Sequence, residues 1–301
     1  MQQYVGVAGL GLMGSGIASR LDQAGMLRAV YNRTKKNLDA SKNVIWAKSP
    51  QDLADSCEIV LTCVTDYKAV RGVLFGDRTK PGIASSKRAG LVVIDASTIS
   101  PRESEECAQE LREHGIDMLS SPVMGGPAAA KEGKLVPMIS GSMAAYEKAK
   151  PVIAAIGSRH FYIGAKNGDA NVLKLALNLN IALIAVAVSE GINLVKASGL
   201  DPAHFINVLN STYFKTGLSE GKGPKMVAWD FSPSFHLKNM LKDISLAVGA
   251  ARDAGVSIPN AALAEQMFRA ANNSGYSDLD YTSVCAFLSQ INGLGKNDNK
   301  D

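Results

Sequence analysis

A chain of 301 residues is long for one hydrophobic core, and the usual domain size of about 100 to 200 residues predicts two domains. Its 46% hydrophobic and 20% charged residues are those of a folded globular protein and exclude a disordered one. The net charge of +4 comes from lysines and arginines scattered along the chain, with no aromatic-flanked basic run, so nucleic-acid binding is not expected.

The first apolar run, 4–8, has no basic leader before it, from which a cytoplasmic protein with reduced thiols is expected. Further candidate strands fall at 28–31, 59–64, 91–95, 117–119, 136–140 and 161–163. Between them, 14–24, 101–114 and 143–156 carry amphipathic patterns of crossover-helix length. This alternation predicts an α/β fold, with residues 1–165 forming a doubly wound Rossmann domain of parallel βαβ units. Past Gly164 the strand pattern stops, and helices are predicted at 169–196, 201–210, 237–254, 259–272 and 277–289. Pro202 and Pro259 suit helix starts, where a missing N–H costs nothing. Residues 166–293 are therefore predicted to be an all-α domain entered through one long interdomain helix, and 294–301 a polar, flexible tail. The most apolar stretch, 181–188, falls short of the roughly 20 residues of a membrane span, so no membrane helix is expected. Cys57, Cys63, Cys107 and Cys285 form no C-x-x-C pair, and His114, His160, His204 and His236 no ligand spacing, so no metal site is expected.

Gly9-Leu10-Gly11-Leu12-Met13-Gly14 follows the first strand and opens the first helix. In that context Gly9 permits a tight turn, Gly11 lets a pyrophosphate reach backbone N–H groups, and Gly14 lets helix pack on strand. A site for NAD usually carries an acid at the end of the second strand to hold the ribose hydroxyls. Asn32 stands there instead, followed by Arg33, Thr34, Lys35 and Lys36, groups that suit a 2'-phosphate. NADP is the expected cofactor; the lesser alternative is a solvated basic turn in which Lys35 and Lys36 simply begin an exposed helix.

Further motifs follow in a familiar order: Asp95-Ala96-Ser97-Thr98, Ser121-Pro122-Val123-Met124-Gly125-Gly126, Lys174 with Asn178, and Lys242-Asp243. From Val5 to about Val284 the chain resembles the β-hydroxyacid dehydrogenases, which include 3-hydroxyisobutyrate dehydrogenases and several semialdehyde reductases. The Tyr31-Asn32-Arg33-Thr34 turn and residues 235–243 look most like the glyoxylate/succinic semialdehyde reductase branch. The resemblance implies that Lys174 is catalytic with Asn178 as its partner. It implies that Thr98, Met124, Gly125, Gly126, Phe235 and Asp243 face the substrate, and that Val64, Thr98 and Lys242 join the glycine loop and the Asn32-Arg33-Thr34 turn on the cofactor. Without it, Ser97 and Thr98 would read as a helix cap before Pro101, Phe235 as core and Asp243 as a surface charge.

Lys174 also makes sense unaided. Asn171, Lys174 and Asn178 fall at i, i+3 and i+7 and share one face of an apolar helix. When hydride reaches a carbonyl carbon, negative charge builds on the oxygen, and a positioned ammonium can stabilise it and give up a proton. Desolvation would draw the lysine pKa down toward the working pH. One departure stands out: relatives commonly read Pro-Val-Ser-Gly-Gly, and here Met124 replaces the serine.

The expected function is NADPH-dependent interconversion of a small aldehyde or keto acid and its hydroxy acid, with succinic semialdehyde, malonic semialdehyde or glyoxylate as substrate. A 3-hydroxyisobutyrate-type oxidation, an imine reductase and a non-catalytic NADP-binding scaffold remain alternatives; Lys174 speaks against the imine reductase, and Lys174 with Asn178 against the scaffold. The long helix is too apolar around its circumference for solvent, which predicts a homodimer or homotetramer.

Overall fold

The computed structural model describes residues 4–38 and 40–295 and divides into two compact units between Lys174 and Leu175. Strands of the first unit are β1 (Val5–Ala8), β2 (Leu27–Tyr31), β3 (Ile45–Trp46), β4 (Ile59–Thr62), β5 (Val92–Asp95), β6 (Asp117–Ser120), β7 (Val123–Met124), β8 (Val136–Ser140) and β9 (Phe161–Gly164). They are crossed by α1 (Leu12–Gln23), α2 (Pro50–Asp55), α3 (Tyr67–Phe75), α4 (Pro101–Glu113), α5 (Pro127–Glu132) and α6 (Met143–Ile156).

The strands form one sheet in the order β3-β2-β1-β4-β5-β6-β8-β7, with β9 beside β8. Pairing is parallel from β3 to β6 and between β8 and β9, whereas β8 runs antiparallel to both β6 and β7. β1, β4 and β5 are buried along their whole length, as parallel strands covered on both faces must be. Alternate side chains feed two cores: Val5, Val7, Leu61 and Ile94 pack with Ile17, Leu21 and Ile153 on one face, while Ala8, Val60 and Val93 pack with Leu53, Leu74 and Leu111 on the other. Helix starts are set locally. Ser49 and Ser142 cap α2 and α6, and α4 opens on a capping box in which Ser100 and Glu103 satisfy each other's backbone N–H.

α7 (Asp169–Ala197) starts in the first unit and continues into the second. Its 29 residues contain an 18-residue window of mean hydropathy 2.0, long and apolar enough by composition to cross a membrane, which corrects the shorter estimate from 181–188. Within the second unit Ala182, Ala185 and Val186 enter a core with Leu237, Met240, Ile244 and Phe268. The remaining helices are α8 (Pro202–Asn210), α9 (Gly217–Gly221), α10 (Gly223–Val227), α11 (Leu237–Asp253), α12 (Pro259–Ala271) and α13 (Val284–Ile291). The single helix expected at 277–289 is broken. Asp280 stays extended, its side chain accepts from Thr282 N–H, and a short 3-10 turn at Tyr281–Ser283 precedes α13. Of the expected tail, 296–301 lies outside the described residues.

Candidate functional site

The glycine loop leaves β1 and turns at Gly9, whose φ of +93° is open to glycine at little cost. A Cβ on Gly9 would lie 2.3 Å from the Cys63 carbonyl oxygen, and one on Gly14 would lie 1.9 Å from the Gly9 carbonyl oxygen. Gly11 differs: it is exposed, a Cβ there would meet nothing within 4 Å, and it sits at the N-cap of α1 with no side chain capping the helix. The uncapped N–H groups of a 12-residue helix beside an open glycine suit a dinucleotide's pyrophosphate, so the residues present fit the cofactor. Leu10 is buried, Met13 half-buried and Leu12 exposed.

Asn32 has a definite structural task. Its Oδ1 accepts from Leu10 N–H at 2.9 Å and its Nδ2 donates to the Thr34 carbonyl at 2.6 Å, tying the glycine loop to the following turn. Arg33 and Thr34 are exposed. Two cations that flank this turn rest on aromatic rings: Lys35 Nζ lies 5.9 Å from the Trp46 ring centre and Lys80 Nζ 5.2 Å from that of Tyr31. Sequence reading missed Lys80 because it arrives from the segment after α3, far from the motif.

At the carboxyl ends of β4 and β5 a buried carboxylate organises the backbone. Asp95 Oδ1 accepts from Thr62 Oγ1 at 2.6 Å and from Ser97 N–H at 3.2 Å, and Ser97 Oγ in turn accepts from Val64 N–H at 3.0 Å. Val64 is part of the wall against which Gly9 turns, so Asp95 supports the glycine loop through two hydrogen bonds. Ser97 is thus a strut, Ser100 is the cap of α4, and Thr98 stands half-buried between them. An acid closing an otherwise apolar strand was the available signal for Asp95.

The structure brings Lys174 to the Val123-Met124-Gly125-Gly126 ribbon. Lys174 Nζ donates to the Val123 carbonyl at 2.8 Å and lies 3.3 Å from Met124 Sδ. The first turns of α7 are fixed by Ala170 N–H donating to Ser140 Oγ and by Asn171 Nδ2 donating to the Ile99 carbonyl, at 3.1 and 3.2 Å. Gly125 and Gly126 are exposed, and Gly126 is the N-cap of α5.

In the second unit Asn178 and Asp243 are both buried and meet directly, Asn178 Nδ2 donating to Asp243 Oδ2 at 2.5 Å. Lys242 Nζ lies 2.8 Å from the other carboxylate oxygen. A surface role for Asp243 is thereby excluded, and its acceptor-only carboxylate fixes which end of the Asn178 amide faces it. Phe235 is half-buried and packs edge-on against Tyr281, ring centres 6.2 Å apart. Its loop hangs on Asp280, which is 1% exposed and accepts from Lys222 Nζ at 2.7 Å, Ser234 N–H at 2.9 Å and Thr282 Oγ1 at 2.9 Å. Burial alone would raise the Asp280 pKa, but Lys222 and the other donors outweigh it and hold the carboxyl below its usual range. The four cysteines are unpaired, and burial pushes the Cys107 thiol up to about 12, which removes it as a nucleophile.

Residues 4–164 match the family described as the NAD binding domain of 6-phosphogluconate dehydrogenase, and residues 168–288 that described as NAD-binding of NADP-dependent 3-hydroxyisobutyrate dehydrogenase. The chain is 30% identical over 286 residues to the chloroplastic glyoxylate/succinic semialdehyde reductase 2 of Arabidopsis thaliana, covering 94% of this chain and 79% of that protein. It is 30% identical to the 2-hydroxy-3-oxopropionate reductase of Escherichia coli, covering 94% and 96% respectively. Among solved structures, Psf3 in complex with NADP+ and 2-OPP superposes with a TM-score of 0.84 at 25% identity, covering 95% of this chain and all of that one.

Proposed function

The chain belongs to the β-hydroxyacid dehydrogenase family of NAD(P)-dependent oxidoreductases, and from that premise we propose that it is an NADPH-dependent reductase of a short aldehyde or keto acid with Lys174 as proton donor. The observation that carries the reading is the Lys174 ammonium held on the Val123 carbonyl, in the same unit as the glycine loop. When bound, the nicotinamide supplies the hydride and takes it back in the oxidative direction. Gly9, Leu10, Gly11, Leu12, Met13 and Gly14 would hold the pyrophosphate, Arg33 and Thr34 the 2'-phosphate, and Val64 and Thr98 further parts of the cofactor. A carbonyl carbon that gains hydride passes an electron pair to its oxygen; Lys174 Nζ gives that oxygen a proton and is reprotonated from solvent. Thr98 and the Gly125 and Gly126 N–H groups would take the substrate's carboxylate.

The names of the two reductases support glyoxylate, succinic semialdehyde or tartronate semialdehyde as substrates, and a solved relative holding NADP+ supports the cofactor. We also propose a homodimer or homotetramer, since Val172 and Leu194 on α7 are 52% and 70% exposed. Following NADPH and NADH absorbance with these aldehydes tests the function. The expected result is consumption of NADPH far above that of NADH; no oxidation of either cofactor with any aldehyde would refute it.

A further inference from the structure

Tyr31 closes β2, and in a doubly wound sheet a dinucleotide's adenosine ribose is met outside the carboxyl end of that strand. A lysine from a distant part of the chain reaches the same place. Lys80 Nζ lies 5.2 Å from the centre of the Tyr31 ring, although β3, α2, β4 and α3 all separate the two in sequence. The turn that carries Lys80 has a fixed shape. Gly76 takes a φ of +83° and forms an antiparallel bridge with Pro81, and a Cβ on Gly76 would lie 2.5 Å from the Lys80 carbonyl oxygen. Asp77 Oδ1 accepts from Thr79 N–H at 2.7 Å, Thr79 Oγ1 at 2.6 Å and Lys80 N–H at 3.0 Å, and Asp77 N–H donates to the Lys80 carbonyl at 3.0 Å. The Pro81 carbonyl accepts from Gln51 N–H at 3.3 Å, which ties the turn to the start of α2. Lys80 therefore leaves a closed loop whose backbone is already set.

Two ammoniums approach the end of β2 over aromatic rings. Trp46, under Lys35, packs with one core of the first unit and Tyr31, under Lys80, belongs to the other, so the two cations come from the two faces of the sheet. Arg33 and Thr34 are exposed in the turn that follows Tyr31, and Asn32 holds that turn through its bonds to Leu10 and Thr34. A ring face attracts a cation through its quadrupole but supplies no oxygen, so an ammonium resting on it can still give N–H donors to a phosphate. Lys80 is also half-buried, which leaves its charge less screened by salt than that of exposed Arg33.

We propose that Lys80 is a specificity-determining residue for the cofactor, pairing its ammonium with the 2'-phosphate of NADPH together with Arg33 and Thr34. The proposal rests on the NADPH reading and adds to it a charge from outside the Asn32-Arg33-Thr34 turn. A neutral side chain of similar length keeps the packing on Tyr31 without the charge, so the two contributions can be separated.

The experiment compares wild type with Lys80→Met and Lys80→Arg by calorimetry, using adenosine 2',5'-bisphosphate and 5'-AMP, which differ only in the 2'-phosphate. NADPH and NADH form a second pair, and melting temperature controls for folding. Lys80→Met should weaken the bisphosphate and NADPH about 3- to 10-fold while leaving 5'-AMP and NADH within about twofold of wild type, and the loss should shrink as salt is raised. Lys80→Arg, which keeps the charge, should retain most of the affinity. Unchanged bisphosphate affinity in Lys80→Met, or equal losses for both nucleotides, would overturn the proposal. Failure of the underlying NADPH reading looks different: wild type itself would then bind the bisphosphate no more tightly than 5'-AMP.

Discussion

The two units stabilise their interiors differently. The first is a sheet covered on both faces, with apolar side chains alternating between two cores, and its polar contacts gather at strand ends: Asp95 with Thr62 and Ser97, and Lys174 on the Val123 carbonyl. The second has no strand among its described residues and places hydrogen-bonded polar side chains within the helical packing: Asp280 with Lys222, Asn178 with Asp243, and Asn193 with Ser289 at 2.7 Å. A sheet satisfies its backbone through the ladder and can leave loops at the strand ends to chemistry. Short helices and turns such as 211–236 have no ladder, and buried carboxylates hold them instead.

Substitutions at four positions probe that contrast. Replacing Lys174 by alanine should have the largest effect, a loss of about 10² to 10⁴ in kcat from the missing proton donor, while NADPH affinity by calorimetry stays within a few-fold of wild type. Asp280→Ala comes next, because it strands the Lys222 charge; it should destabilise the second unit by about 3 to 5 kcal/mol in urea unfolding, with NADPH still bound by the first. The same carboxylate sets an acid limit. Its folded pKa is depressed, so its stabilisation is present above the unfolded value of about 3.9 and is lost as pH falls through the folded one. Wild type should lose stability below about pH 4, and Asp280→Asn should lack that component.

Arg33→Ala should cost about 1.5 to 3 kcal/mol of NADPH binding and leave NADH unchanged, and equal losses for both cofactors would remove Arg33 from the 2'-phosphate. Ser100→Ala should be mildest. It opens the capping box of α4 and should cost about 1 kcal/mol of first-unit stability with kcat unaltered.

Most of the first unit's strands were legible as short, largely apolar runs of four or five residues bounded by turns. The two-residue β3 and β7 were not, since a pair of residues has no period. The same limit hid α5, α9 and α10, whereas α7 and α11 were legible over most of their length. Antiparallel β8 read like its parallel neighbours because its run, Val136–Ser140, carries no mark of direction. The glycine loop and Lys174 could be found from motif and helical spacing. Asp280 could not: in the sequence it is one acid in Ser277-Asp278-Leu279-Asp280, and only its burial under Lys222 and Ser234 separates it from exposed Asp278.

Chemical rescue of Lys174→Ala tests the central claim most directly. Small primary amines of graded pKa are added to the variant with NADPH and a semialdehyde, and turnover is followed by loss of NADPH absorbance. If Lys174 Nζ is the proton donor, turnover should be nearly absent without amine and should rise with amine concentration, with a rate that depends on the amine's pKa. A variant that turns over at the wild-type rate without any amine would contradict the assignment and place the proton donor on another group.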